Sequence, residues 1–239
     1  ERPGPLTEFH GLMAGYARYM ERVFILGDLF DLWLGDDDDS EPHDEVCRSL
    51  RQLSDAGPAL YVMRGNHDFT LGAGFAERTG ATLLDDPDVV EVQGRRVVLT
   101  HGDTLCTADT DYQDYRDRVQ DPAFVADFLA KPLAERRRIA ADIRERSAAA
   151  VEEKDPAVMD ATEEAVARAF REHASDLLVH GHTHRPGDHG HTVDGRARRR
   201  IVLGDWLHSG SALAWDERGP RTLYAVDWYW PTTDVVTPN

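Results

Sequence analysis

Residues 23–31 read VFILGDLFD, a short apolar run that ends at a glycine and is followed at once by a carboxylate. The same order recurs three more times, each with a side chain that can bind a metal directly after a predicted strand. The other stretches are YVMRGNHD (residues 61–68), VVLTHGD (residues 97–103) and LLVHGHTH (residues 177–184). Ligands of open α/β sheets bind at the carboxyl ends of the strands, so the four stretches predict one shared site.

The side chains that follow these strands form one candidate metal site. Oxygen and imidazole donors without a thiolate suit manganese, iron, nickel or zinc. Each motif alone is typical of a turn or a cap, but their joint occurrence at four strand ends favours a metal centre. The candidate ligands are Asp28, Asn66, His101, His182 and His184. The last two are two positions apart, point the same way in an extended segment, and could serve two metals.

The order of the predicted elements indicates an α/β fold in a single domain over residues 1–239. Strands alternate with helices at first, and hairpins follow towards the end of the chain, so we expect a layered sheet with partly antiparallel strands. Residues 111–173 have almost no strand pattern. We interpret residues 107–176 as a helical lid, while helices that only cover the sheet would give the same pattern.

Composition narrows the classes of partner and compartment. The chain has 27 Lys and Arg against 44 Asp and Glu, a formal net charge of −17, which argues against general nucleic-acid binding. Two cysteines give no disulfide framework. No apolar run approaches the ~18 residues of a membrane span, and no leader pattern opens the printed sequence. We therefore expect a cytoplasmic protein.

Four further stretches contain charged residues or histidines whose role the sequence leaves less certain than that of the metal-site motifs. The basic stretches, residues 196–200 and 136–138, could contact phosphate or an anionic membrane, or could be solvated faces. The acidic run at residues 36–39 could bind a cation, but we expect a solvated turn. His189 and His191 are expected at the surface of a Gly- and Asp-rich loop.

The motif blocks resemble those of the calcineurin-like metallophosphoesterases. The resemblance lies in GDLFD (residues 27–31), GNHD (residues 65–68) and GHTH (residues 181–184). The longer stretches ILGDLFDLWLGDD (residues 25–37) and HGDTLCTADTDYQ (residues 101–113), together with HGHTHRP, are similar to the UDP-2,3-diacylglucosamine diphosphatase family of lipid A biosynthesis. The likeness covers nearly the whole chain, the predicted lid included.

This resemblance implies a fold, a reaction and partners. The implied fold is a four-layer αββα metallophosphoesterase sandwich with a helical lid insertion, and the implied cofactor is a pair of Mn²⁺ ions. The implied reaction cleaves UDP-2,3-diacylglucosamine to UMP and 2,3-diacylglucosamine 1-phosphate. It implies peripheral contact with the cytoplasmic face of the inner membrane, with no nucleic acid, and no protein partner is expected.

The resemblance also implies roles for single residues. Asp28 bridges both metals, Asn66, His101 and His182 complete the second metal's coordination, and His184 belongs to the first. As a hypothesis, His67 donates to the phosphoryl group and is steered by Asp31. The implied substrate contacts are Asn66, His67, Asp109, Tyr112, Ser147, Lys154 and His182.

Three departures from the family pattern bear on these roles. The family opens with a strand carrying an Asp-x-His block, and the printed sequence begins after it, so we expect a fragment of a longer protein or a chain with an altered first metal site. His67 stands where many members have Arg. Val151 stands at a lid position where members often have Asn.

Two other functions fit the same motifs. The first is a calcineurin-like phosphoesterase acting on soluble nucleotides or phosphoproteins, against which the lid and residues 101–113 count. The second is a non-catalytic metal-binding relative, which the absent Asp-x-His block favours only if Glu1 is the natural start.

Overall fold

The computed structural model describes residues 4–206 and 210–224, apart from the side chains of residues 148–149, 151–153 and 224. Strands and helices follow the predicted order. The strands are β1 (Arg22–Leu26), β2 (Ala59–Met63), β3 (Thr82–Leu84), β4 (Asp88–Val92), β5 (Arg95–Thr100), β6 (Leu177–His180), β7 (Gly187–Val193), β8 (Arg196–Val202), β9 (Ser211–Asp216) and β10 (Gly219–Tyr224). The helices are α1 (Pro5–Ala14), α2 (His43–Asp55), α3 (Ala73–Thr79), α4 (Thr110–Val119), α5 (Pro122–Leu129), α6 (Leu133–Glu153) and α7 (Glu163–Glu172).

The strands form two larger sheets and one hairpin. β1, β2 and β3 are parallel neighbours in that order. The second sheet has the order β4-β5-β6-β8-β7, in which β5, β6 and β8 are parallel and the two outer strands are antiparallel to their neighbours. β9 and β10 pair with each other. The predicted mixture of parallel and antiparallel strands is therefore confirmed.

Alternation along the strands packs the two sheets face to face. Phe24 and Leu26 of β1 join Met63 of β2 in one apolar cluster with alternate residues of the second sheet. The second sheet's members are Val97, Leu99, Leu177, Val179 and Ile201. Since successive strand residues point to opposite faces, the residues between them face the outer layers.

Helices cover both outer faces, which makes four layers. α1 and α2 pack on the first sheet through Leu12, Leu50 and Leu53, against Leu60 and Val62 of β2. On the second sheet, Val166 and Phe170 of α7 pack against Val98 and Leu178. The expected αββα sandwich is confirmed.

Helices α4, α5 and α6 lie outside these layers. Phe128 of α5 and Ala140 of α6 are buried together with Leu34, which belongs to the loop after β1. α7 falls within the predicted lid range but packs on the sheet as described above. The helices that can act as a lid are therefore α4–α6.

Two predicted surface loops are only partly as expected. His189 is exposed as predicted, but His189 and His191 belong to a strand, and the acidic turn has exposed Asp37 and Asp39 but a buried Asp38. His189 and His191 lie on β7, and His191 is half-buried because its ring contacts both Glu163 and Arg200. In the acidic run, Asp36 accepts from the backbone N–H groups of Gly72 and Gly74 at 3.1 and 2.8 Å.

The remaining residues of the acidic run, except Asp39, are also paired. Asp37 pairs with Arg136, and the buried Asp38 accepts from Ser40 at 2.7 Å and from Arg137 at 3.0 Å. The charges of the run are therefore balanced by two arginines of α6 and by backbone N–H groups at the start of α3.

The basic stretches are neutralised within the protein as well. Arg199 pairs with Asp188 at 2.6 Å, and Arg200 is buried against His180. Arg138 pairs with Asp142 one turn along α6. Most arginines of the two stretches therefore have an acidic partner within the protein, while Arg196 is exposed. Within the described residues, no helix is both long and apolar enough to cross a bilayer.

Candidate metal centre

Four strand ends meet at one edge of the sandwich. Asp28 follows β1 and Asn66 follows β2 in the first sheet, and His101 and His182 follow β5 and β6 in the second. The ligand-bearing strands belong to two facing sheets rather than being neighbours in one sheet. His101 continues the inward-facing series of β5, so its ring reaches across to the end of β1, where Nδ1 lies 2.9 Å from the Leu26 carbonyl.

Asp28 is held in a constrained turn. Its φ is +50°, a left-handed conformation that is uncommon outside glycine, although aspartate is one of the residues that adopt it most often. The backbone approaches closely here, since a Cβ on Gly65 would lie 2.2 Å from Asp28 Oδ1. His67 N donates to Asp28 Oδ1 at 2.9 Å. The two glycine-bounded turns therefore fit together only because Gly65 lacks a side chain.

The polar atoms of four residues converge around one point. His101 Nε2 lies 2.9 Å from Asn66 Oδ1 and 3.4 Å from Asp28 Oδ2. His182 Nδ1 lies 2.8 Å from the same Asn66 oxygen. Ligand atoms of Asp28, His101 and His182 all fall within 4.8 Å of one another. One carboxylate, one amide and two imidazoles thus share a single centre.

Burial and neighbouring charges shift the pKa values of the two histidines in opposite directions. Burial alone would lower the pKa of His101, but the carboxylates of Asp28 and Asp103 outweigh it and raise that pKa. Burial, together with the neighbouring His101, lowers the pKa of His182 to about 4. His182 is therefore a neutral imidazole at pH 7, the form that binds a metal.

The remaining predicted ligand and the proposed donor lie at the margin. His184 is exposed and is not one of the three clustered side chains. His67 is also exposed, and its Nδ1 lies 3.2 Å from the main-chain oxygen of Asp31. The carboxylate of Asp31 pairs instead with Arg144 of α6. If Asp31 orients His67, it does so through its backbone carbonyl.

Most of the predicted substrate contacts gather beside the cluster. Lys154 Nζ donates to both oxygens of Asp109 at 2.6 and 2.7 Å. Tyr112 donates to Asp103 at 3.2 Å, and its ring lies 5.8 Å from that of His182. Ser147 lies on the exposed surface of α6. The side chain of Val151 falls outside the described residues.

Two buried carboxylates that the sequence reasoning left unassigned organise the site. Asp68, fully buried, accepts from the backbone N–H groups of Gly65 and Leu29, both at 2.7 Å. Burial and the nearby Asp28 raise the pKa of Asp68 to about 6. A recognisable signal was its place as the fourth residue of the GNHD block.

Asp103 is the second of these carboxylates. Burial works against its charge, but His101 and Arg116 prevail and lower the pKa of Asp103. Arg116 Nε donates to it at 2.6 Å. Asp103 therefore connects the start of the lid, through α4, to the histidine cluster.

The donor set fits a divalent transition metal. Carboxylate, amide and imidazole atoms without thiolate suit manganese, iron or zinc. His101 presents Nε2 to the centre because Nδ1 faces the Leu26 carbonyl, a second contact that fixes the ring as metal-binding histidines are usually fixed. Asp28, Asn66, His101 and His182 are the residues that can hold the ion.

Comparisons with known proteins agree with this chemistry. The sequence model of the calcineurin-like phosphoesterases matches residues 6–186. The UDP-2,3-diacylglucosamine hydrolase of Cellvibrio japonicus is 45% identical over 212 residues, which cover 89% of this chain and 88% of that protein. The protein of the same name from Pseudomonas entomophila is 42% identical, covering 92% and 91%. That from Aromatoleum aromaticum is 42% identical, covering 92% and 90%.

Proposed function

The chain belongs to the calcineurin-like phosphoesterases and, among them, to the family of the UDP-2,3-diacylglucosamine hydrolases, and on that premise we propose that it hydrolyses UDP-2,3-diacylglucosamine. Water attacks the phosphorus of the UMP moiety, and the bond from that phosphorus to the bridging oxygen breaks. The products are UMP and 2,3-diacylglucosamine 1-phosphate, and the protons of the water are released or taken up by the products.

The observation that carries this proposal is the convergence of Asp28, His101 and His182 within 4.8 Å at the strand ends. The cofactor is a pair of divalent ions, with Mn²⁺ as the preferred metal and His184 contributing to the first ion. Two such ions supply a hydroxide nucleophile at neutral pH and charge stabilisation of the phosphoryl oxygens. Asp28 would help to hold both ions, and its negative charge would reduce their mutual repulsion.

The protein's own side chains orient the diphosphate. The Nδ1 of His67 is directed to the Asp31 carbonyl and donates to it, so Nε2 faces the substrate and donates to a phosphoryl oxygen in the doubly protonated form of the ring. Asn66 is an uncharged ligand, so it leaves the positive charge of the centre available to the substrate. Lys154 and Tyr112, held by Asp109 and Asp103, contact the sugar phosphate beside the cluster.

The lid, residues 107–176 in the sequence and helices α4–α6 in the structure, encloses the acyl chains. Its apolar cluster joins Phe128 and Ala140 to Leu34, with Phe124 and Ile139 partly buried beside them. Each buried CH₂ group contributes about 0.8 kcal/mol. Ser147 lies on the same helix and contacts the acylated sugar. A lipid substrate places the protein at the cytoplasmic face of the inner membrane as a peripheral protein.

A substrate panel with the full-length protein and Mn²⁺ tests the proposal. The panel contains UDP-2,3-diacylglucosamine, the same UDP-sugar without acyl chains, a soluble nucleotide diester and a phosphopeptide, with phosphorus NMR to identify products. We expect UMP and the acylated sugar phosphate from the first compound, at a kcat/KM well above the others. Equal cleavage of the deacylated sugar, or preference for the soluble diester or phosphopeptide, would contradict it. Metal binding without turnover of any compound would indicate a non-catalytic relative.

A further inference from the structure

Arg136 is a buried charge in the lid. Its residue is 2% exposed, and it lies on the first turn of α6. Nε donates to the Lys131 carbonyl at 2.9 Å, and the two terminal nitrogens form a forked pair with the carboxylate of Asp37. One of those nitrogens also donates to the Leu34 carbonyl. Almost every donor of the guanidinium is satisfied, as a buried charge requires.

The loop that receives Arg136 is shaped for it. A Cβ on Gly35 would lie 2.4 Å from the arginine nitrogen and 2.9 Å from Asp37 Oδ1, and the φ of Gly35 is +132°. A side chain at this position would therefore displace the guanidinium. We call the group formed by Leu34, Gly35, Asp37 and Arg136 the lid clamp.

The same loop carries the metal ligand. It begins at Asp28, and its middle is fixed to the block after β2. Trp33 N donates to the His67 carbonyl at 3.2 Å, and the Thr70 hydroxyl donates to the Trp33 carbonyl at 2.6 Å. Trp33 itself is 2% exposed. The chain from Asp28 to the lid clamp is thus fixed to the block after β2 along its length, so the clamp gives α6 a fixed position relative to the metal ligand.

Two other ion pairs join α6 to this loop, and the arginine of each is more accessible than Arg136. Arg137, 52% exposed, pairs with the buried Asp38 at 3.0 Å. Arg144 and Asp31 pair with side chains that are 60% and 73% exposed, and solvent-exposed pairs of this kind contribute little. Arg136 is therefore the one cation among these three pairs whose own side chain is buried, at 2% exposed, while the carboxylate of its partner Asp37 is 63% exposed.

We propose that the forked Arg136–Asp37 ion pair is a positioning device, which fixes the lid helix relative to the Asp28 loop and so determines the affinity for acylated substrates. The proposal rests on the proposed function. Neither residue touches the reacting phosphoryl group. Loss of the pair lets α6 shift away from the loop, so the acyl chains lose their enclosure while the metal cluster keeps its geometry.

Two matched pairs of variants test the proposal. R136M is compared with R138M, which removes an exposed charge from the same helix, and D37N is compared with D39N in the same acidic run. Each is assayed on UDP-2,3-diacylglucosamine and on bis(p-nitrophenyl) phosphate, a small diester without acyl chains. We expect R136M and D37N to raise the KM for the acylated substrate at least tenfold. Their kcat/KM for the diester should stay within twofold of the wild type, as should both controls on both substrates.

Hydrogen exchange provides a readout that does not depend on turnover. We expect faster amide exchange over residues 133–146 in R136M and D37N, with no change in the controls. Unchanged kinetics and exchange in both variants would overturn the proposal, and so would a parallel fall in kcat on both substrates with an unchanged KM. A wild-type protein inactive on the acylated substrate would contradict the proposed function instead, while the exchange comparison would still decide the role of the lid clamp.

Discussion

His67 combines an exposed ring with a main chain fixed to the metal-ligand turn. Its N–H donates to Asp28 at 2.9 Å, while its ring is free on the Nε2 side. The backbone contact does not depend on the side chain. A substitution at this position can therefore remove a proton donor without disturbing the cluster.

We predict that His67→Ala lowers kcat by about 10²–10³ and leaves the bound metal unchanged, as expected when one charge-stabilising donor is lost. Steady-state kinetics and elemental analysis of the purified variant check both quantities. Asp28→Ala is the contrasting variant, because it should lose metal and activity together. Full activity of His67→Ala would remove the assigned role.

Asp68 acts on the metal only through the backbone. Its two oxygens accept from the N–H groups of Gly65 and Leu29, which belong to the two turns that meet at Asp28. An asparagine at position 68 would place its NH₂ group against one of these N–H donors. We predict that Asp68→Asn lowers metal affinity by about 10–100-fold, the usual range for residues that orient ligands. Competition with a chelator measures it. The exposed Asp39→Asn provides the matched control, and equal affinities in the two variants would contradict the prediction.

At the level of elements, α2 shows how fold and site are separated. Leu50 is fully buried between α2 and the first sheet, in the apolar cluster on the outer face of that sheet. Val46, Leu50 and Leu53 are spaced by four and three residues, the pattern expected of a helix that covers a sheet with one apolar face.

We predict that Leu50→Ala lowers the free energy of unfolding by about 2–5 kcal/mol while kcat and KM at low temperature stay unchanged. Urea denaturation and steady-state assays measure the two effects. Arg48→Ala, on the solvent side of the same helix with 59% of its side chain exposed, should change stability by less than about 0.5 kcal/mol. Altered kinetics in Leu50→Ala would show that α2 and the site are coupled.

At the scale of the whole molecule, both cysteines are free thiols buried in the interior. Burial raises the pKa of the Cys47 thiol to about 11 and that of the Cys106 thiol to about 12. Thiols in an unfolded chain ionise at about pH 8.5. Between these values the unfolded chain loses protons that the folded protein keeps, so the free energy of unfolding falls as the pH rises above about 9.

We therefore predict that both thiols react slowly with a disulfide reagent in the native protein at pH 8, and rapidly after denaturation. Denaturant midpoints measured from pH 8 to pH 10 should fall less steeply in the Cys47→Ala/Cys106→Ala double variant than in the wild type. Rapid labelling of the native protein, or the same dependence of the midpoint on pH in both proteins, would contradict the conclusion that both thiols are buried and protonated.

Local patterns were enough for much of the fold. The apolar runs at β1, β2 and β6 identify strands because buried strands are short and continuous in hydrophobicity. Apolar residues keep helical spacing from Leu6 to Met20, but α1 ends at Ala14, and a 3-10 turn follows at Tyr16–Tyr19. A glycine at position 15 interrupts the helix there. β7 was missed because its Gly- and His-rich sequence lacks the apolar alternation, and only pairing with β8 makes it a strand.

The sequence by itself determined which side chains follow strand ends, and hence the kind of chemistry available at Asp28, Asn66, His101 and His182. This is possible because a strand end and its turn are encoded by neighbouring residues. Only the tertiary structure decided that these ends belong to two facing sheets, that Asp68 and Asp103 organise them, and that the acidic run receives Arg136 of the lid. Those relations join residues up to about a hundred positions apart, and no local pattern specifies which distant charge will be buried against which.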